Sequence, residues 1–300
     1  MTTRSMISFD WALKRLLRNK AHFGVLEGFL SELLRQKITI TSIAESESNQ
    51  ENENDKYNKV DLLVENDKQE LIIIELQFYS QSDYFHRMLY GVCKSITEHI
   101  SAGDNYKKIR KVYSINIVYF DLGKGDDYIY HGFTNFKGLH THQELELSAK
   151  QKEVYKNNYP GDLYPEYYIL KLTNFNDIAK NTLDEWVYYL KNSKIRDDFT
   201  AQGLAQAREI LVYDNLTDDE KRQFENKIKI TRIKNSEIET AFTDGEFKGR
   251  KEGRAEGEAK KAEQVVTNAF KKGMSISDIA EITTLTVEQI TEMLKRHNLI

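Results

Sequence analysis

The chain has a single cysteine, Cys93, in 300 residues. A lone thiol excludes an internal disulfide framework and any zinc site built on several cysteines. Cys93 lies in a stretch with helical apolar spacing, so a small buried side chain is expected. No run approaches the ~20 apolar residues of a bilayer span, and the N-terminus shows no signal-peptide core. A reducing, cytoplasmic location without membrane contact is the expectation. Net charge is scarce too: 43 Lys and Arg against 47 Asp and Glu leave a formal −4. A field of that sign mildly repels nucleic acid, so any phosphate contact must come from local patches. Gly123-Lys124-Gly125 lacks the length and the Ser or Thr of a phosphate loop, and there is no Gly-x-Ser-x-Gly elbow. Neither nucleotide hydrolysis nor acyl transfer is supported. His140-x-His142 has suggestive spacing but no accompanying Cys or His cluster, which marks it as incidental.

What is present is a hairpin signature at residues 61–77, DLLVENDKQELIIIELQ. Residues 71–74 form an unbroken apolar run that fits a strand covered on both faces until Glu75 interrupts it. Side chains alternate along a strand, so Glu75 and Gln77 project to one side, roughly 6 to 7 Å apart at Cα. The preceding strand, residues 60–65, carries Asp61 at its start, and Asn66-Asp67-Lys68-Gln69 supplies the reversal. Asp61 therefore comes to lie near Glu75. The plain alternative is a hairpin with ordinary polar ends. Against it, a glutamate directly after four apolar residues is headed for burial, where a carboxylate is costly unless paired or metal-bound.

Several segments then fall in a telling order. Asp10-x-Ala12-x-Lys14, Lys59-Val60-Asp61, Ile74-Glu75-x-Gln77, Arg87-x-x-Tyr90, and a later strand and helix with Trp186 together resemble the Rpn family. These are recombination-promoting nucleases, also described as transposases, of the PD-(D/E)XK nuclease superfamily. The likeness spans about residues 7–192 and continues loosely into the tail. It implies a restriction-endonuclease-like α/β fold, a mixed sheet flanked by helices, and DNA as substrate. It also implies Mg²⁺ or Mn²⁺ held by Asp61, Glu75 and the backbone carbonyl of Leu76. Gln77 stands where the superfamily usually has lysine, a replacement the Rpn family shares. Asp61, Glu75 and Gln77 are thus the candidate catalytic residues, and Lys14 or Arg87 can supply the missing positive charge.

Two basic runs are candidate phosphate contacts: Lys14, Arg15, Arg18 and Lys20 in the first helix, and Lys107, Lys108, Arg110 and Lys111 before a strand. Either can equally be a solvated face. Residues 9–35 have helical spacing, as one helix or as two with a break near Gly24. Residues 45–58 are polar and read as a mobile loop. Strands follow at 60–65, 70–78, 112–120, 128–133 and 167–172, with helices at 82–101 and 177–191. This gives a nuclease-like domain over residues 1–196, followed by an all-helical C-terminal extension.

In that extension, residues 197–242 read as helices, with Thr217 an N-cap. Within 243–270, Gly245, Gly249, Gly253 and Gly257 recur at every fourth position. On a helix they make a slowly winding stripe open to a second helix, at roughly 1 kcal/mol per glycine, or the segment is a linker. Residues 271–300 read as two capped helices resembling a helix-turn-helix, with Ile276, Ile279, Ile282, Leu285, Val287, Ile290 and Leu294 buried between them. Glu288 and Glu292 are poor company for DNA, so packing or homo-oligomerisation is the favoured role. The whole reading is a Mg²⁺-dependent DNA endonuclease. The alternatives are a catalytically silent DNA-binding or assembly protein on the same fold, and a regulator acting through its C-terminal helices.

Overall fold

The computed structural model describes residues 6–44 and 60–300. The polar stretch 45–58, expected as a mobile loop, lies outside the described residues except by its flanks. The chain divides into two compact units, Met1–Phe224 and Glu225–Ile300.

The first unit is built on a six-stranded mixed sheet: β1 (Ile40–Ile43), β2 (Leu62–Asn66), β3 (Leu71–Gln77), β4 (Val112–Val118), β5 (Ile129–Gly132) and β6 (Glu166–Lys171), in spatial order β1-β2-β3-β4-β6-β5. The β2–β3 reversal is fixed by Asn66, whose buried side-chain oxygen accepts from the backbone N–H of Lys68 and of Glu70 while Gln69 takes a left-handed conformation. Such Asx turns satisfy backbone donors that the strands leave behind. In register, Leu62 faces Ile74 and Glu65 faces Leu71. β3, β4 and β6 run parallel, so their starting ends lie together and their finishing ends lie together.

Helix α3 (Tyr84–Glu98) crosses after β3, burying Tyr84, Met88, Gly91, Val92 and Ser95. Cys93 falls outside that stripe and is exposed, correcting the expectation of a buried thiol. It shares the outward face with Phe85 and Leu89, each about half exposed. The N-terminal segment forms two helices, α1 (Phe9–Arg15) and α2 (Phe23–Leu34), joined by a 3-10 turn at Lys20–His22. The break thus precedes Gly24, which sits inside α2 against Gln206. Of the first basic run, only Lys14 and Arg15 are in α1. Strand β1 and helix α4 (Ala149–Tyr155) had no clear sequence signal: β1 is four residues long, and α4 buries nothing.

An aromatic cluster of Phe9, Phe29, Trp186 and Tyr189 ties α1 and α2 to α5 (Thr182–Asn192). Helix α6 (Leu204–Ile210) approaches α2 so closely that a Cβ on Gly28 would strike the Gln202 carbonyl, and Gly203 is left-handed at φ 82°. The N-terminus is pinned from far along the chain: Ile7 donates to the Leu211 carbonyl and accepts from the Tyr189 hydroxyl.

Helix α7 (Asp218–Lys271) begins at Thr217, which caps it reciprocally with Glu220. The helix runs unbroken through the glycine repeat, and among the described residues nothing comes within 4 Å of where Cβ atoms would stand on Gly245, Gly249, Gly253 and Gly257. In the second unit, α8 (Ile276–Thr283) and α9 (Val287–Arg296) carry the two expected capping boxes, Ser275 with Asp278 and Thr286 with Gln289. Their small core is Val266, Ala269, Ile279, Ile290 and Leu294. Ile282 and Val287, expected inside, are 59% and 48% exposed, because the closing face is supplied by the end of α7 rather than by the helix pair alone.

Candidate active site

Residues from four elements meet near the finishing end of β3. Asp61 lies at the bend just before β2, not inside the strand. One carboxylate oxygen accepts from the Leu76 backbone N–H at 2.8 Å and the other pairs with Lys14 at 3.0 Å. The Asp61 carbonyl accepts from the Arg18 guanidinium at 2.9 Å. Two cations one helical turn apart in sequence therefore grip one aspartate from opposite ends of its residue.

Glu75 is only 7% exposed, held between β2 and β4. Burial pushes its carboxyl up to about 7, with the nearby Asp61 charge adding to the rise and Arg87 and Lys14 opposing it. Arg87 on α3 meets Glu75 at 3.1 Å and also reaches the Gln81 side chain. The two carboxylates sense each other, and Lys14 senses both. Gln77, the last residue of β3, is half-buried and donates its amide to the Tyr79 carbonyl at 3.2 Å.

Behind Glu75 stands a polar group that the sequence reading did not single out. Asn116, its register partner on β4, accepts from the Tyr84 hydroxyl at 3.2 Å and donates to the Ser114 hydroxyl at 3.0 Å. Burial, then the Glu75 charge, pushes the Tyr84 hydroxyl well above the usual tyrosine range, so it stays a proton donor. The available signal was Ser114 and Asn116 alternating on one face of an otherwise apolar strand.

The remaining candidates fall elsewhere. Arg15 is exposed at the end of α1 and, among the described residues, has no partner. Lys107 and Lys108 precede β4, at the starting ends of the parallel strands, and so lie at the opposite end of the sheet from Glu75 and Gln77. Lys59 is outside the described residues.

The donor chemistry at Asp61 and Glu75 suits a hard divalent ion, since Mg²⁺ commonly takes one or two carboxylates and keeps several waters. A cation there would also offset the cost of ionising Glu75. No group of three or more His, Cys, Asp or Glu that could hold a metal occurs among the described residues, so a metal here would rest on the carboxylate pair, a backbone oxygen and water. The Nε–H groups of Arg18 and Arg87 are buried without an acceptor among the described residues, as is that of Arg208.

A mixed sheet flanked by helices, with two carboxylates at adjoining strand ends and basic side chains closing over them, defines a restriction-endonuclease-like nuclease class. The chain belongs to that class: it matches the family of PD-(D/E)XK nuclease family transposases over residues 7–241. The match covers the sheet, its helices and the first part of α7, and stops short of the glycine repeat. No similar curated protein and no similar solved structure was found.

No helix among the described residues is long and apolar enough to cross a membrane.

Proposed function

We propose that this protein is a metal-dependent DNA endonuclease of recombination or transposase type. The observation that carries the proposal is Asp61, bonded to the Leu76 N–H, close enough to buried Glu75 at the end of β3 for the two charges to interact, in a chain of a nuclease family. Asp61 and Glu75, with the Leu76 carbonyl, would hold Mg²⁺ or Mn²⁺. When bound, the ion supplies polarisation of the scissile phosphate and a more acidic water. Glu75 must give up its proton to serve as a ligand, and its elevated pKa sets that release near pH 7. Lys14 and Arg87, now paired with the carboxylates, become available to phosphate oxygens once those carboxylates are otherwise engaged. Arg18 keeps Asp61 in place through its carbonyl, and Arg15 extends the same basic face outward. Gln77 contributes an N–H dipole to a phosphate oxygen or to the attacking water, but no full charge. Plasmid cleavage with Mg²⁺, Mn²⁺ or EDTA tests the reading. Wild type should nick only with metal, and Asp61→Ala and Glu75→Ala should each abolish nicking while remaining folded; cleavage that persists in Glu75→Ala sinks the assignment.

Gln77 in the usual lysine position favours one competing reading, a protein that keeps the fold for DNA binding or assembly without cutting. DNA binding in EDTA with no metal-dependent nicking would select it.

The tail fits self-association. On α7, Ile230, Ile233, Ile238 and Phe242 are 64%, 51%, 46% and 72% exposed. In an antiparallel pair of α7 helices centred between Asn235 and Ser236, Ile233 meets Ile238. Lys227 and Lys234 then fall opposite Asp244 and Glu237. Apolar and ionic groups thus match in one register, as in coiled-coil pairing.

A further inference from the structure

At the starting ends of the parallel strands, away from the carboxylate pair, lies an open cleft of about 1100 Å³. It is bounded by the β2–β3 turn, the residues leading into β4, the end of α4 and the start of β6. Its charge is sorted in an informative way. Of the carboxylates on the lining, Asp104 and Glu166 are paired with basic side chains, while Glu70 and Asp162 are held only by neutral N–H donors and keep their charge. Asp104 holds Lys108 and the Ser101 backbone N–H. Asp162 accepts from the backbone of Asn158 and Tyr159, Glu166 pairs with Lys111 and His131, and Glu70 accepts from the Asn66 amide. The cations are not used up. Lys107 and Lys156 have no partner among the described residues, and Lys68 bonds only a neutral oxygen, that of the Gln36 side chain. Arg110 is satisfied by Glu65. Three lysines without an acid partner, Lys68, Lys107 and Lys156, stand against two carboxylates without a cation, Glu70 and Asp162, so the cleft keeps a small positive excess in a chain whose net charge is −4. Beside these lysines, Tyr155 and Leu163 are each 38% exposed on the same lining, an apolar wall within a cationic rim.

Strongly hydrated ammonium groups on mobile stems recognise phosphate as point charges, and an exposed aromatic face accepts a stacked base without regard to sequence. The volume is that of a small-ligand site rather than of a duplex groove. We propose that this cleft is a second anion site, separate from the site of cleavage, in which Lys68, Lys107 and Lys156 hold the phosphates of a nucleotide unit and Tyr155 supports its base. The unit can come from a single-stranded nucleic acid or from a free nucleotide, which share that chemistry.

The test uses the full chain in EDTA, so that no cleavage intervenes and failure of the nuclease reading is read separately by the metal-dependent plasmid assay. Two fluorescent probes are titrated, an eight-nucleotide thymidine strand and a labelled ATP. In parallel, acylation of each lysine is followed by mass spectrometry with and without unlabelled probe. Probe should protect Lys68, Lys107 and Lys156 from acylation, and Lys107→Glu with Lys156→Glu should weaken binding of the recognised probe at least about tenfold and flatten its salt dependence. Lys150→Glu, on α4 but off the cleft, should leave binding unchanged. Loss for the strand alone identifies a polynucleotide source, and loss for ATP a free nucleotide. The Lys107→Gln and Lys156→Gln pair covers any misfolding of the charge reversals and should weaken binding in the same direction. Unchanged affinity of both probes in a folded double variant, or protection confined to lysines outside the cleft, overturns the proposal.

Discussion

Glu75 concentrates the energetics of the site in one side chain. Its folded carboxyl titrates at about 7 against an ordinary 4.5, so the folded protein holds that proton more tightly than the unfolded chain does. Its contribution to stability is therefore fully present below about pH 4.5 and is lost as pH rises through about 7. The difference corresponds to about 3 kcal/mol. In EDTA, Glu75→Gln should leave stability at pH 4.5 nearly unchanged and raise it at pH 8 by roughly 2 to 3 kcal/mol, as urea melts would record. Added Mg²⁺ should raise the melting temperature of wild type at pH 8 and not that of the variant. A wild type less stable at pH 8 than the variant but indifferent to Mg²⁺ would make the buried carboxylate a structural burden rather than a ligand. Gln77 carries a second expectation. Preorganised electrostatic groups are typically worth roughly 10² to 10³ in rate. Gln77→Ala should lose most of the activity, and Gln77→Lys should retain or increase it, provided the ammonium can leave the Tyr79 carbonyl that now holds the amide. Cleavage by a folded Gln77→Ala as fast as wild type removes Gln77 from the chemistry. At this scale strand alternation and a short reversal let the sequence place Asp61 near Glu75, with Gln77 two residues further along the same strand. Arg18 on the Asp61 carbonyl and Asn116 behind Glu75 were not readable, since each depends on where another element docks.

Among the elements, strands β2, β3, β4 and β6 were legible from their apolar runs to within a few residues. Helix α4 was not, because it buries no side chain and leaves no periodic mark. The long helix poses its own question, since an exposed glycine costs a helix about 1 kcal/mol against alanine. A methyl group on Gly245, Gly249, Gly253 or Gly257 meets nothing within 4 Å among the described residues. If those faces stay in solvent, the fourfold variant should gain helicity and up to about 4 kcal/mol of helix stability without a change in mass. If they are the close-approach face of an assembled pair, light scattering should show a smaller or weaker oligomer. Gly28→Ala is the opposite case: its new methyl group would strike the backbone of Gln202 and Gly203, and overpacking of that kind costs about 1 to 3 kcal/mol. Thermal melts of that variant should fall accordingly.

On the scale of the whole molecule, the two compact units predict that deletion from Thr243 onward leaves a folded sheet domain with altered oligomeric state. Light scattering and circular dichroism on the truncated chain check both parts; an unchanged mass argues against self-association through residues 243–300 and leaves it to Ile230, Ile233 and Ile238, which the shortened chain keeps. The pinning of the N-terminus has a further consequence, for synthesis. Lys14 can close on Asp61 only when α1 is docked, and α1 packs on Trp186 and Tyr189, with Ile7 bonded to Leu211. The two carboxylates leave the ribosome early, but the clamp over them waits for residues made more than a hundred positions later. At translation rates of roughly 5 to 20 residues per second, that interval is on the order of 10 s. A nascent chain in this window carries both acids without the aromatic cluster that seats α1 beside them. The order of synthesis thus withholds the closed carboxylate clamp until nearly the whole first unit has emerged.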